Sequence, residues 1–252
     1  MSQAIARQDP GAAERFFYSG MGALLLATVV AGFARTFFLK PWFPEHQHLA
    51  PPEPFFLVHG AFFAAWFALL AVQPLLVAGG NRALHRRLGT WGAALAVAMV
   101  VLGIVGALIA ARRPGGFIGV PLPPLQFLVV PFAAVLLFGV FVALAVAWRG
   151  DPQAHKRLML LASISLAEAA VARLPFAFLT AASPVPFFQA MELLTLALLL
   201  PMVGWDLLSR GRLHAVTLWG GVALVASMPL RAAVSATDGW LALARWAVGL
   251  LD

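Results

Sequence analysis

The chain has no cysteine, only two lysines, and charged side chains at 11% of its residues against 62% hydrophobic ones. Each scarcity excludes something. Without cysteine there are no disulfides, thiolate metal ligands, iron–sulfur clusters or cysteine nucleophiles, so any metal must rely on His, Glu, Asp or Met. The lysines, Lys40 and Lys156, fall at the ends of apolar runs. No late span therefore carries the lysine that a retinal protein needs. His-Glu-x-x-His, Gly-x-Ser-x-Gly and phosphate-loop motifs do not occur, which leaves hydrolysis and nucleotide-driven transport without support. The shortage of charge is decisive on its own. A soluble domain is about 25% charged, so lipid must solvate much of this polypeptide.

What is present is a series of apolar runs longer than the ~20 residues that cross a ~30 Å hydrocarbon core as helix. They lack the ~10-residue alternation of barrel strands. A helix also satisfies its own backbone donors and acceptors, as the bilayer demands. Runs read against Pro, Gly and charge breaks predict spans near Phe16–Leu39, Phe55–Val77, Trp91–Ala111, Phe127–Trp148, Leu158–Thr180, Phe187–Leu208 and Ala215–Leu230. The expected fold is all-α: one polytopic membrane bundle over residues 1–252, with seven transmembrane helices and a short interfacial helix at Trp240–Leu251. A tilted half-span is the alternative for that last segment. The first run is longer than a signal-peptide core and lacks a small-residue cleavage site, so it reads as a retained helix. Pro41–Pro54 is the longest connection, and the short remaining linkers favour antiparallel neighbours. Pro74, Pro131, Pro175, Pro201 and Pro229 fall within or near span ends, where each removes a backbone donor.

The net charge of +7 is scattered over short loops, which argues for topology and against nucleic acid. Arg7, Arg15, Arg82, Arg86, Arg87, Arg149, Lys156, Arg157, Arg210 and Arg212 collect on one side of the spans. Lys40, Arg112, Arg113 and Arg231 fall on the other. The richer side is expected in the cytoplasm, together with the N-terminus.

Three junctions on that side repeat a pattern: His85-Arg86-Arg87-Leu88, His155-Lys156-Arg157-Leu158 and, more loosely, Arg212-Leu213-His214. His85, His155 and His214 are candidate cofactor ligands. His85 and His155 begin alternate helices at matching depth, as a bis-histidine haem between helices requires. The competing explanation is helix capping and lipid anchoring, since helix N-termini carry free amide donors and hold phosphate.

Gln73-Pro74 followed by Leu84-His85-Arg86-Arg87-Leu88-Gly89 resembles a signature of uncharacterised bacterial multi-pass membrane proteins, over the second to fifth spans. That resemblance implies a bacterial inner membrane. The histidine pattern is also distantly similar to cytochrome b-type diheme membrane proteins, whose four helices each supply an axial histidine. Phe127–Trp148 contains no histidine, so a second haem has no pair here.

At a rise of ~1.5 Å per residue, Arg35, His59, Arg173, Gln189 and Glu192 lie within ~10 Å of the outer face, with Glu168 deeper. Ionisable residues in a span cost ~2–3 kcal/mol or more, so they pair or line a wet cavity. Two arginines and a histidine there suit a small polar or anionic ligand, a headgroup or a quinone, while ion pairs that lock helices are the alternative. His46 and His48, in Glu45-His46-Gln47-His48, together with His59 and Glu53 or Glu192, form a candidate zinc, copper or iron site. The functional expectation is a membrane protein with an outward-facing polar pocket, in a binding or redox-accessory role. Haem- or metal-dependent electron transfer and a noncatalytic subunit of a membrane complex are the alternatives. Membrane lipids, a membrane-protein partner or a second copy are the expected associations.

Overall fold

The computed structural model describes residues 10–43, 53–118, 120–174 and 187–251, and these are helices joined by short turns, with no strand among them. Helix α1 spans Pro10–Phe33 and runs on through a π-helical turn at Ala34–Phe38 and a 3-10 turn at Lys40–Trp42. Helices α2 (Pro54–Ala78) and α3 (Arg82–Arg112) follow. A short α4 (Pro124–Phe127) leads into α5 (Val129–Ala147), then α6 (Pro152–Val171). Helices α7 (Phe187–Ala197) and α8 (Leu200–Arg210) are separated by one turn, with Pro201 at the start of α8. The chain ends in α9 (Ala215–Ser235) and α10 (Asp238–Gly249).

Polar residues start these helices where the sequence allows. Asn81 accepts from Leu84 N at the head of α3, and Asp151 accepts from Gln153 N and Ala154 N at the head of α6. Gly211, at φ +68°, takes the left-handed conformation that closes α8. Pro74 and Pro229 sit inside α2 and α9, whereas Pro175 lies outside the described residues.

Side-chain bonds fix the threading. Gln73, late in α2, donates to the carbonyl of His85, early in α3; Arg113, just past α3, pairs with Glu53, just before α2, at 3.2 Å. Early α1 meets early α6 through Glu14 and Lys156. Late α1 meets late α6, where Arg173 lies 4.7 Å over the Phe33 ring. Helices α2 and α3 are therefore antiparallel, whereas α1 and α6 run parallel. Close approach depends on small residues: a methyl on Gly32 would fall on the Ala170 carbonyl, and one on Gly103 would lie 2.6 Å from Val135 Cγ2.

Six helical stretches are long and apolar enough to cross a bilayer: Gly11–Phe38, Pro54–Ala78, Arg82–Arg112, Pro124–Ala147, Gln189–Arg210 and Ala215–Ser235. Their outward faces carry large exposed apolar side chains, among them Phe16, Trp91, Val97, Leu136, Leu208 and Trp219, as a multi-pass membrane protein requires. Among the described residues these six coincide with six of the seven expected spans, and residues 175–180 of the remaining one lie outside the described residues. The expected fifth span, Leu158–Thr180, is the exception. Its helix, α6, starts earlier and ends at Val171, and Lys156, Arg157 and Glu168 on it are too polar for lipid. The physical reason is position. Twelve of its twenty residues are buried, and it packs on α1, α5, α7 and α9, so its neighbours rather than lipid solvate it.

The core runs through α1, α2, α3, α5 and α6, where Leu25, Phe67, Met99, Phe138 and Leu161 are almost fully enclosed. Trp66 sits edge-on to Phe138 at 4.9 Å and donates its indole N–H to Ser163 Oγ at 3.1 Å. Helix α10 falls where the sequence places a short terminal helix. Ala244 and Ala247 pack against Ala107, Leu108 and Ala111 of α3, and Trp240 donates to the Leu125 carbonyl at 2.8 Å.

Candidate functional site

Helices α6, α7 and α9 bring three ionisable side chains to one point near the end of the bundle where α6 and α9 finish. Arg231, one turn before the end of α9, is 6% exposed, and only charge or polar partners make such burial tolerable. Its Nη1 donates to Glu168 Oε2 at 2.8 Å and its Nη2 to Glu192 Oε1 at 3.3 Å. One guanidinium thus links carboxylates from two other helices. Nε of Arg231 is buried and has no acceptor among the described residues. Beside the cluster is a cavity of about 20 Å³, bordered by Ser165, Glu168, Thr195, Ser227 and Arg231 and by apolar side chains of α5, α6 and α9. That volume holds about one water molecule.

Of the expected layer, Glu168 and Glu192 are brought together, while Gln189, one turn before Glu192, is exposed. Arg35 lies in the π-helical turn with its guanidinium 5.5 Å from the Phe43 ring. Arg173 stays with α1 and its own helix, over Phe33 and donating to Ala169 O at 2.6 Å. His59 binds elsewhere again: its Nδ1 donates to the Leu102 carbonyl of α3 at 3.2 Å, and its ring stacks on Phe63 at 4.2 Å. The guanidinium at the cluster is Arg231, not Arg35 or Arg173. His46 and His48 lie outside the described residues, and no group of three or more His, Asp and Glu with metal-holding geometry occurs among the described ones.

The three junction histidines do different work. His155 Nδ1 donates to the Ala145 carbonyl at 2.8 Å, which orients the ring and holds a proton on Nδ1. His85 lies within electrostatic reach of His155, and its Nδ1 is buried without a partner among the described residues. His214 precedes α9 and caps it, its Nδ1 accepting from Val216 N at 3.1 Å. Burial, then the charges of Arg157 and Arg210, hold its imidazole below the usual histidine range, which keeps that lone pair free to accept.

A second polar centre, at the opposite end, is absent from the expectations above. Arg157 and Asp206 form an ion pair that is 1% and 0% exposed. Arg157 Nε and Nη2 both reach Asp206 Oδ1, while Nη1 donates to the backbone and side-chain oxygens of Gln153. Asp206 Oδ2 accepts from His214 N at 3.0 Å, so the pair ties α6 to α8 and to the start of α9. Outside it opens a cleft of about 260 Å³ lined by Glu14, Gln153, Arg157, Trp205, Ser209 and Arg210. Glu14, bound to Lys156 and Gln153, forms one wall. A carboxylate within the predicted span Phe187–Leu208 was the available signal for this centre.

No protein-family model matches the chain, and neither the curated proteins nor the solved structures contain a significant match. The chemistry of these two centres has to stand on its residues.

Proposed function

We propose that the chain is a multi-pass protein of the bacterial inner membrane that acts as a membrane-embedded binding protein through Glu168, Arg231 and Glu192. On this reading seven helices cross the membrane, with the N-terminus in the cytoplasm and the cluster on the outward side. The excess of basic residues at the α1 start, the α2–α3 and α5–α6 turns and the α8–α9 turn supports that orientation. The seventh crossing is α6, whose polar residues are sheathed by α1, α5, α7 and α9.

One observation carries the binding reading: a buried arginine is held by carboxylates from two other helices, beside a cavity of about 20 Å³. One acid would suffice to neutralise the arginine. The extra carboxylate gives the cluster an excess of negative charge, and the cavity is small, so a small polar or cationic ligand fits better than an anion or a quinone. The test is thermal stability in nanodiscs against a panel of small polar and cationic solutes. Stabilisation that disappears in Glu192→Ala supports the reading; a flat response for the wild type sinks it. Topology is checked separately. The chain lacks cysteine, so Gly150→Cys and Gly115→Cys, where added side chains meet open space, give a clean labelling pair. An impermeant maleimide is expected to label position 115 from outside and position 150 only after permeabilisation.

A redox-accessory role is the second reading, favoured by the carbonyl-oriented imidazole of His155 and the nearby His85. An absorption spectrum and metal analysis of gently solubilised protein decide it: no Soret band and no bound metal remove that role.

A further inference from the structure

The cluster's donors and acceptors do not balance, and the imbalance identifies a ligand. We propose that Glu168 and Glu192 share one bound proton beside the adjoining cavity, so that the protein's ligand at this site is a proton. This rests on the binding reading above and specifies its ligand.

Charge comes first. Two carboxylates face one guanidinium, which leaves one negative charge uncompensated. Among the described residues the elements packed around the cluster supply no other cation. Helix α5 has no titratable side chain, Glu192 is the only one on α7, and Arg231 the only one on α9. On α6, Lys156 and Arg157 lie at the opposite end, held by Glu14 and Asp206. Arg173 is drawn to Phe33, Arg35 lies by Phe43, and on α10 both Asp238 and Arg245 are exposed. Residues 175–186 contain no ionisable side chain in sequence. An uncompensated charge among apolar helices is strongly disfavoured, and binding a proton removes it.

Hydrogen bonding gives the same answer independently. Arg231 engages one oxygen of each carboxylate, and its buried Nε reaches neither, so neither acid is clamped by two bonds. The three hydroxyls on the cavity wall cannot help. Ser165 donates to Ala162 O at 2.7 Å, Thr195 to Met191 O at 2.8 Å, and Ser227 to Leu224 O at 2.7 Å. Each has committed its only hydrogen to the backbone and has only lone pairs left to offer. Among the described residues the second oxygen of each carboxylate is left without a donor, since Arg231 Nε, although it has no acceptor, reaches neither. A carboxylic acid O–H supplies that donor, and hydroxyl lone pairs or a single cavity water are what it would bond. In the binding step hydronium transfers its proton to one carboxylate oxygen, giving a neutral carboxylic acid and water.

The experiment is isotope-edited infrared spectroscopy of the full chain in sodium-free nanodiscs with 13C-labelled glutamate, near pH 7. The expected result is a neutral carboxylic acid carbonyl band that shifts in deuterated water and is lost in both Glu168→Gln and Glu192→Gln. If a variant fails to fold, judged by circular dichroism and gel filtration, titrating the wild-type band between acid and alkaline pH still reads the proton directly. No neutral-acid glutamate band in folded wild type overturns the proposal. So does a band that sodium ions abolish while they stabilise the protein, because the missing charge is then metal. Absence of the band with solute-dependent stabilisation intact overturns the proton and leaves the binding site standing. A band that persists while no solute stabilises the protein supports the proton and overturns only the wider binding role.

Discussion

Replacing Asp206 with alanine tests whether the buried pair at the other end of the bundle holds the fold together. Asp206 is fully enclosed and accepts from Arg157 Nε and Nη2 and from His214 N. Its removal leaves a guanidinium that is 1% exposed without its counter-ion, and a helix-start amide without its acceptor. Breaking a buried pair from one side costs about 3–5 kcal/mol, most of it the burden of the stranded charge. Arg157 keeps its two bonds to Gln153, which places the expected loss near the lower end, about 3 kcal/mol. The assay is reversible unfolding in mixed micelles, run as a double-mutant cycle with Arg157→Met. The double variant is expected to recover most of the loss, since no lone charge then remains. If Asp206→Ala alone costs less than about 1 kcal/mol, the pair behaves like an exposed one and the reasoning fails.

Three further outcomes follow from the packing and the caps. Gly32→Ala drives a methyl into the Ala170 carbonyl where α1 crosses α6, and is expected to destabilise by about 1–3 kcal/mol in the same unfolding assay, unlike Gly20→Ala, which meets open space. Ser163→Ala strands the buried Trp66 indole N–H, with an expected cost of about 1–3 kcal/mol and a changed tryptophan emission. Stability is expected to fall on acidification in two stages. His214 is held below its ordinary 6.5, so its contribution is complete above that value and lost as pH falls through it; His214→Asn flattens this stage in pH-dependent melts. Asp151 is held below 3.8 by the amides of Ala154 and Gln153, so its contribution persists above 3.8 and disappears at lower pH.

The bundle was legible in the sequence because apolar length is a local property that needs no partner. Six of the seven spans read there are long apolar helices among the described residues; α6 is not one of them, because it takes its surroundings from other helices and carries Lys156, Arg157 and Glu168. Rise per residue gives depth, and it puts Glu192 near the outer face with Glu168 deeper, whereas the structure brings both to Arg231. Rotation about each helix axis decides which same-depth residues meet, and the apolar runs are too uniform around their circumference to reveal it. That is why depth alone groups Arg35, Arg173 and His59 with the two glutamates, while Arg231, which lies near its helix end, reads as a flanking charge. Arg157 was hidden in the same way. Counted as a marker of sidedness, it is in fact the buried partner of Asp206. The Gln73 and His85 of the sequence signature do meet, through the His85 carbonyl, an interaction visible only once α2 and α3 are folded back on each other.

The sheathing of α6 imposes an order on biogenesis. Emerging from the ribosome, this segment is a poor substrate for lateral release into lipid, and its accommodation depends on a berth already formed by α1 and α5, both made before it. With α6 crossing as proposed, Glu168 enters the bilayer about sixty residues before Arg231 has been synthesised. For that interval its carboxyl has no arginine. The arginine that pairs with it arrives only with α9, the helix that completes the cluster.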